Sequence, residues 1–190
     1  MERVLHDDTV FKKQAFSSGV FPLGEYDSCK FLDCDFSKSD LSDIRFLDCT
    51  FEGCDLSLAR INRTVLTGCR FSSCKMLGLQ FETCNVNALT VEFDGCNLSH
   101  SSFTSLKLKK TSFMNLKLLG TDFAGCDLSG SVFEKCDLAG TIFENSVLEN
   151  ADFRTSVNFE IDPEKNRLKH ARFSIEGLPG LLRKYNIDID

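Results

Sequence analysis

The chain has 190 residues, room for one domain, and its 42% hydrophobic and 26% charged residues are those of an ordinary globular protein. Its 22 Lys and Arg stand against 28 Asp and Glu, a net charge of −6 that argues against a conventional nucleic-acid binder. No 18-residue apolar run is present, and Met1-Glu-Arg-Val-Leu-His-Asp-Asp8 carries charges where a signal peptide needs an apolar stretch, so a cytoplasmic location is expected.

From Phe11 onward a large apolar residue recurs at every fifth position: Phe11, Phe16, Phe21, Tyr26, Phe31, Phe36, and so on to Val86. The series then slips by two residues, resumes at Phe93 and runs to Phe153. It holds 16 of the 18 Phe. Two residues before each large one stands a small or apolar residue, Gln14 aside, and these positions take all 10 Cys. No charged residue falls in either set. Both positions must therefore face a core, and alternate residues share a face in a strand, not in a helix.

A five-residue strand-and-corner unit buries nothing alone and must stack on copies of itself. Residue identities set the stacking period at 20, hence four sides per coil: Cys29, Cys49 and Cys69 align, as do Phe11, Phe31, Phe51 and Phe71. The first column continues as Phe93, Phe113, Phe133 and Phe153. The second runs from Phe16 to Leu138 and the third from Phe21 to Phe143. The fourth comprises Tyr26, Phe46, Leu66, Val86, Leu108, Leu128 and Leu148. The slip lies within Asn87–Glu92 and is expected to be a bulge that keeps the columns in register. The expectation is an all-β solenoid of about seven coils at about 4.8 Å each, a rod roughly 34 Å tall.

After Ser156 the period stops. Residues 1–157 are read as the solenoid and 158–190 as a capping or dimerisation segment. Pro179 suits a helix start, and Leu178, Leu181, Leu182 and Tyr185 would line one side of a short helix, with Ile187 and Ile189 alternating like a strand. An open coil end is a sheet edge that needs covering, by a monomeric cap or by a second copy.

The cysteines include three Cys-x4-Cys pairs, a spacing that raises metal binding or disulfides. Each, however, fills a small inward slot where free Cys behaves as a small hydrophobe, and no His accompanies them. No metal site, no cofactor and no catalytic residue is expected: Ser and Asp follow the repeat, no phosphate-binding glycine loop occurs, and no carboxylate or His site converges. Charge remains. Between Glu25 and Asp55 nine acids meet three bases; Leu56–Phe81 is basic; Lys107, Lys109, Lys110 and Lys117 form a second basic band; Leu118–Phe153 is acidic again. Asp35, Asp55, Asp127 and Asp137, each just before a core residue, are taken as one acidic face for a partner, interrupted by Lys75 and Lys117. An ordinary solubilising surface is the alternative.

The units Cys126-Asp-Leu-Ser-Gly130, Cys136-Asp-Leu-Ala-Gly140 and Ala151-Asp-Phe-Arg-Thr155 closely resemble the loose Ala-(Asp/Asn)-Leu-x-x consensus of the pentapeptide repeat family. That resemblance covers about residues 9–155 and implies a right-handed quadrilateral β-helix. The tail elements Asp162-Pro163-x-x-Asn166-Arg167 and Leu181-Leu182-x-x-Tyr185-x-Ile187-x-Ile189 resemble the ends of the Qnr quinolone-resistance and microcin-immunity branch, which is similar to MfpA. The resemblance implies a partner, DNA gyrase or topoisomerase IV, engaged by partial mimicry of DNA to protect it from quinolone-type or peptide-toxin poisons. It also implies a homodimer through Leu178, Leu181, Leu182, Tyr185, Ile187 and Ile189. The sizeable loops of the Gram-negative Qnr proteins have no counterpart here beyond the two-residue slip near Val91. A non-enzymatic scaffold for another protein is the competing expectation.

Overall fold

The computed structural model describes residues 4–17 and 21–188. Numbered along the chain, its strands are β1 (Val4–Asp7), β2 (Val10–Lys12), β3 (Gly24–Asp27), β4 (Lys30–Leu32), β5 (Arg45–Leu47), β6 (Thr50–Glu52), β7 (Val65–Thr67), β8 (Cys69–Ser72), β9 (Val91–Asp94), β10 (Ser112–Met114) and β11 (Val132–Glu134). All pairings are parallel. The first side of the solenoid is a seven-stranded sheet, β2-β4-β6-β8-β9-β10-β11, and so spans six full turns. Its register pairs Phe11 with Phe31, Phe31 with Phe51, Phe51 with Phe71, Phe71 with Phe93, and Phe93 with Phe113. The fourth side is the sheet β1-β3-β5-β7. The second and third sides are too short for strands and are joined by single bridges such as Asp35↔Asp55 and Ser102↔Asp122.

Parallel stacking in register lays identical rings on one another. Phe31 on Phe51 and Phe113 on Phe133 lie 4.8 and 4.7 Å apart with their planes nearly parallel. Neighbouring columns meet edge to face, as Phe113 does Phe123 at 5.6 Å and 77°. Both arrangements suit the ring quadrupole. The corners need positive φ, and Gly120 shows why the residue is often glycine: at φ +61° a Cβ would also sit 2.9 Å from His100 Nδ1 in the corner below.

The small inward slot has a second requirement that its hydrophobic reading misses. Most of the Cys, Ser and Thr side chains there reach down to the carbonyl of a core residue one coil below. Cys49 Sγ donates to Tyr26 O at 3.1 Å, Thr64 Oγ1 to Leu41 O at 2.8 Å, Ser131 Oγ to Leu108 O at 2.7 Å and Cys126 Sγ to Phe103 O at 2.8 Å. Cys, Ser and Thr are interchangeable in this slot because each is small and carries a donor. All ten cysteines are buried and unpaired by disulfides.

Two expectations are corrected. Val86 does not join the fourth column: it is 47% exposed, on a 3-10 turn over Val86–Ala88 that follows another over Phe81–Thr83. The two extra residues are absorbed by looping this stretch outward, and Leu89 packs against the core instead. The fourth-side ladder therefore breaks after β7 and resumes only at Lys107↔Asp127. In the tail, stacking also persists beyond Ser156. Arg167 bridges Val147, Arg172 bridges Asp152, and Phe173 lies on Phe153 at 5.3 Å and 4°. The repeat is irregular only over the two sides between, where Phe159 and Ile161 supply the buried groups.

Candidate protein-binding face

An Asp just before the core residue has a local task. Its carboxylate accepts the N–H two residues on, closing the turn: Asp35 from Ser37 at 2.9 Å, Asp55 from Ser57 at 2.9 Å, Asp127 from Ser129 at 3.2 Å and Asp137 from Ala139 at 3.3 Å. Hydrogen bonds from Ser37, and then Ser17, hold Asp35 below the usual carboxylate range. Burial works to raise Asp127, but Ser129 and Lys109 outweigh it and hold it low.

These four do not form one face. Asp35, Asp55 and Asp137 belong to the second-side ladder, Asp35↔Asp55↔Lys75↔Asn97↔Lys117↔Asp137. Asp127 stands on the fourth side, between Lys107 and Val147, because its core neighbour Leu128 is a fourth-column residue. It is also ion-paired with Lys109 at 3.1 Å. Asp137 lies four rungs above Asp55 and accepts from Asn158 Nδ2 at 2.8 Å. Only Asp35 and Asp55 are brought together.

The structure gathers a different acidic set around them. In the N-terminal coils the arginines pair downward across one coil: Arg45 with Glu25 at 2.7 Å, Arg60 with Asp40 at 2.7 Å and Arg63 with Asp43 at 2.5 Å. These pairs occupy the third and fourth sides and the corner between them. Asp33, Asp35, Asp48, Glu52 and Asp55 make no ion pair among the described residues, and all lie on the first side, its two corners or the adjoining second side. The third side and much of the fourth are thus cancelled, Asp7 and Asp27 excepted, whereas the first side, its corners and the second side keep five acids without ion pairs, with Lys12, Lys13 and Lys30 as cations on the same half. Asp33, Asp48 and Glu52 were missed from sequence. The signal was present in the three Arg–acid offsets of 20 residues, which mark the acids that are cancelled.

The acidic upper coils differ. Glu144 pairs with Lys165 at 2.9 Å, Glu149 with Arg167 at 2.8 Å and Asp152 with Arg154 at 2.7 Å, so bases from the tail and last coil cancel much of that charge.

The tail closes the top of the rod. It contains one turn of helix, α1 (Pro179–Leu182), then a 3-10 turn over Arg183–Tyr185, and no strand among the described residues. Gly180 O accepts from Ile161 N at 3.0 Å, and a Cβ on Gly180 would meet Phe159 O at 2.2 Å, so only glycine lets the backbones approach. Lys184 bonds both Asp162 and Glu164 at 2.7 Å, and Tyr185 Oη donates to Glu164 at 3.0 Å. Of the residues expected at a dimer interface, Leu181 is partly buried against the core, while Leu178, Leu182, Tyr185 and Ile187 are exposed. Ile189 lies outside the described residues. Among the described residues no helix is long and apolar enough to cross a membrane, and no group of three or more His, Cys, Asp or Glu is placed to hold a metal ion.

The sequence profile of the pentapeptide repeat region matches residues 44–123 and 86–162, more than half of the chain. Among solved structures, a trypsin-treated variant of QnrB1, a plasmid-mediated fluoroquinolone resistance protein, superposes with a TM-score of 0.64 at 19% identity, covering 99% of this chain and 98% of that one. HetL, a pentapeptide repeat protein involved in heterocyst differentiation regulation from Nostoc sp. strain PCC 7120, gives 0.63 at 14% identity, with 90% and 88% covered. No curated protein matches the chain in sequence.

Proposed function

The chain belongs to the pentapeptide repeat proteins, and we propose that it is a non-enzymatic binding protein whose N-terminal acidic face docks on the basic DNA-binding saddle of DNA gyrase or topoisomerase IV in the cytoplasm, relieving poisoning by quinolone-type drugs or peptide toxins. The observation that carries this reading is the sorting of charge in the first coils, with paired groups on one half and Asp33, Asp35, Asp48, Glu52 and Asp55 on the other. The resemblance of the tail to the Qnr branch, and a fold shared with a fluoroquinolone resistance protein, support it. The mimicry is partial. A duplex of the same roughly 34 Å length carries about 20 negative charges, against a net −6 for the whole chain. The exposed Leu178, Leu182, Tyr185 and Ile187 support a homodimer through the tail.

The test is a gyrase supercoiling assay titrated with the protein, with and without a fluoroquinolone. Restored supercoiling in the drug is expected, and the Glu52→Lys/Asp55→Lys double variant should need at least ten times more protein. No effect of the wild-type protein at tens of micromolar would overturn the proposal. A scaffold for another protein is the second reading, favoured by two features: HetL matches as well as QnrB1 does, and among the described residues up to Ser156 the short loop before β9 is the only interruption of the coils. Salt separates the two, since a charge-driven complex weakens steeply with ionic strength.

A further inference from the structure

The break in the fourth-side ladder leaves a cleft of about 680 Å³ half-way up the rod, at the corner leading into the first side. Where the coil above is complete, Asp127 N donates to Leu106 O at 2.9 Å; the equivalent N–H of Lys107, facing the gap, has no main-chain partner among the described residues. Leu89, Val91 and Met114 supply apolar wall, and Met114 is 37% exposed. Lys107, Lys109 and Lys110 rim the cleft together with Arg70. Arg70 is engaged by Glu92 at 3.2 Å and Lys109 by Asp127 at 3.1 Å, but Lys107 and Lys110 have no ion-pair partner among the described residues.

We propose that this cleft is a second binding site, distinct from the N-terminal acidic face, for a short acidic segment of a partner protein in extended conformation. Its carboxylates would meet Lys107 and Lys110, an apolar side chain between them would rest on Leu89, Val91 and Met114, and a backbone carbonyl would accept the free Lys107 N–H. Chain dimensions favour a peptide over a nucleic acid. The positive band is about two coils deep, bounded by Asp48 below and Asp127 above. Three extended residues span about 10 Å, the depth of two coils at about 4.8 Å each, and fit within it, whereas a polyphosphate backbone continues onto the acidic coils on either side. An alternating acidic and apolar strand also matches the two-faced lining, since successive side chains point opposite ways.

The test uses fluorescence anisotropy with three labelled probes: an amidated hexapeptide alternating Glu and Val, the same peptide with Lys for Glu, and a six-nucleotide oligo-dT. Saturable binding of the Glu–Val peptide alone is expected. Its Kd should rise at least tenfold in Lys107→Glu/Lys110→Glu and stay within twofold in Lys135→Glu, an exposed lysine elsewhere on the rod. If the reversal variant melts early, Lys107→Gln/Lys110→Gln is used and should raise Kd severalfold. No saturable binding of the Glu–Val peptide, binding indifferent to the two lysines, equal binding of the Lys–Val peptide, or tighter oligo-dT binding at the same lysines would each overturn the proposal.

Discussion

Replacing Phe123 with alanine removes a ring that is fully buried and touched on four sides. It stacks on Phe103 at 5.0 Å and beneath Phe143 at 5.5 Å, and meets Phe113 and Phe133 edge-on at 5.6 and 6.0 Å. A buried Phe→Ala change costs about 3–5 kcal/mol through lost transfer energy and the cavity left behind. Loss of the ring pairs pushes the value to the top of that range. A loss of about 5 kcal/mol is comparable to the whole stability of many domains, about 5–15 kcal/mol. Because a solenoid is held by nearest-neighbour interfaces, the damage should be local in origin. Coils on either side of Phe123 would lose amide protection before the rest. The assay is a urea melt followed by far-UV circular dichroism, with hydrogen exchange to locate the opening. A drop below about 1.5 kcal/mol, or exchange that rises first in the N-terminal coils, would refute the stacked-column account.

Ser131→Ala strips the donor to Leu108 O and the acceptor for Thr111 N and should cost about 1–3 kcal/mol in the same melt, with Ser131→Cys losing less because a donor remains. The ten thiols should be inert to an aromatic disulfide reagent in the native protein and all react in guanidinium, because burial removes access and pushes Cys69, Cys84 and Cys126 up to about 12 and Cys136 to about 11. The tail cap should loosen in acid. Lys184, and Glu164's further bond from Tyr185, hold Asp162 and Glu164 below their ordinary values, so their contribution is complete above about pH 5 and lost as pH falls through the depressed values. Faster exchange of the Ile161 amide, the donor to Gly180 O, reports it, and a pH-independent rate of opening would contradict the assignment.

The columns were legible because a five-residue period leaves no other geometry, and Phe113 or Leu118 could be placed from spacing alone. The hydroxyl and thiol slots were legible as inward positions but not as hydrogen-bond donors, since the accepting carbonyl lies 23 residues away. Val86 was misplaced because it keeps the period. What expels it is the need to absorb two residues immediately after it, a matter of path length that the period does not encode. The acidic face was misread for a related reason. Net charge along the chain counts Glu25, Asp40 and Asp43 equally with Asp33 and Glu52, whereas coiling puts an arginine on the first three. The tail's coil was obscured by two irregular sides, although Leu168 and Phe173 stand 20 residues after Leu148 and Phe153.

The loop that opens the cleft can be tested by closing it. Deleting Asn87 and Ala88 leaves Val86 followed by Leu89-Thr90 and then Val91-Glu92-Phe93, two regular five-residue units. Thr90 would then hold a positive-φ corner, where a β-branched residue is strained, so the variant should also carry Thr90→Gly, matching Gly68 at φ +65° and Gly130 at φ +70° in the same corner column. The regular coil would bury Val86, now 47% exposed, and give the Lys107 N–H a carbonyl. The first is worth about 1 kcal/mol but is offset by Leu89, which leaves the core for an outward position, and the second about 1 kcal/mol, so the variant should gain about 1 kcal/mol. Its Lys107 amide should become protected, and binding of the Glu–Val peptide should vanish. Were the variant less stable than the parent with Lys107 still exchanging freely, the loop would be packed for stability rather than tolerated against it. The open rung would then be a consequence of Leu89 filling the core better than Val86 does.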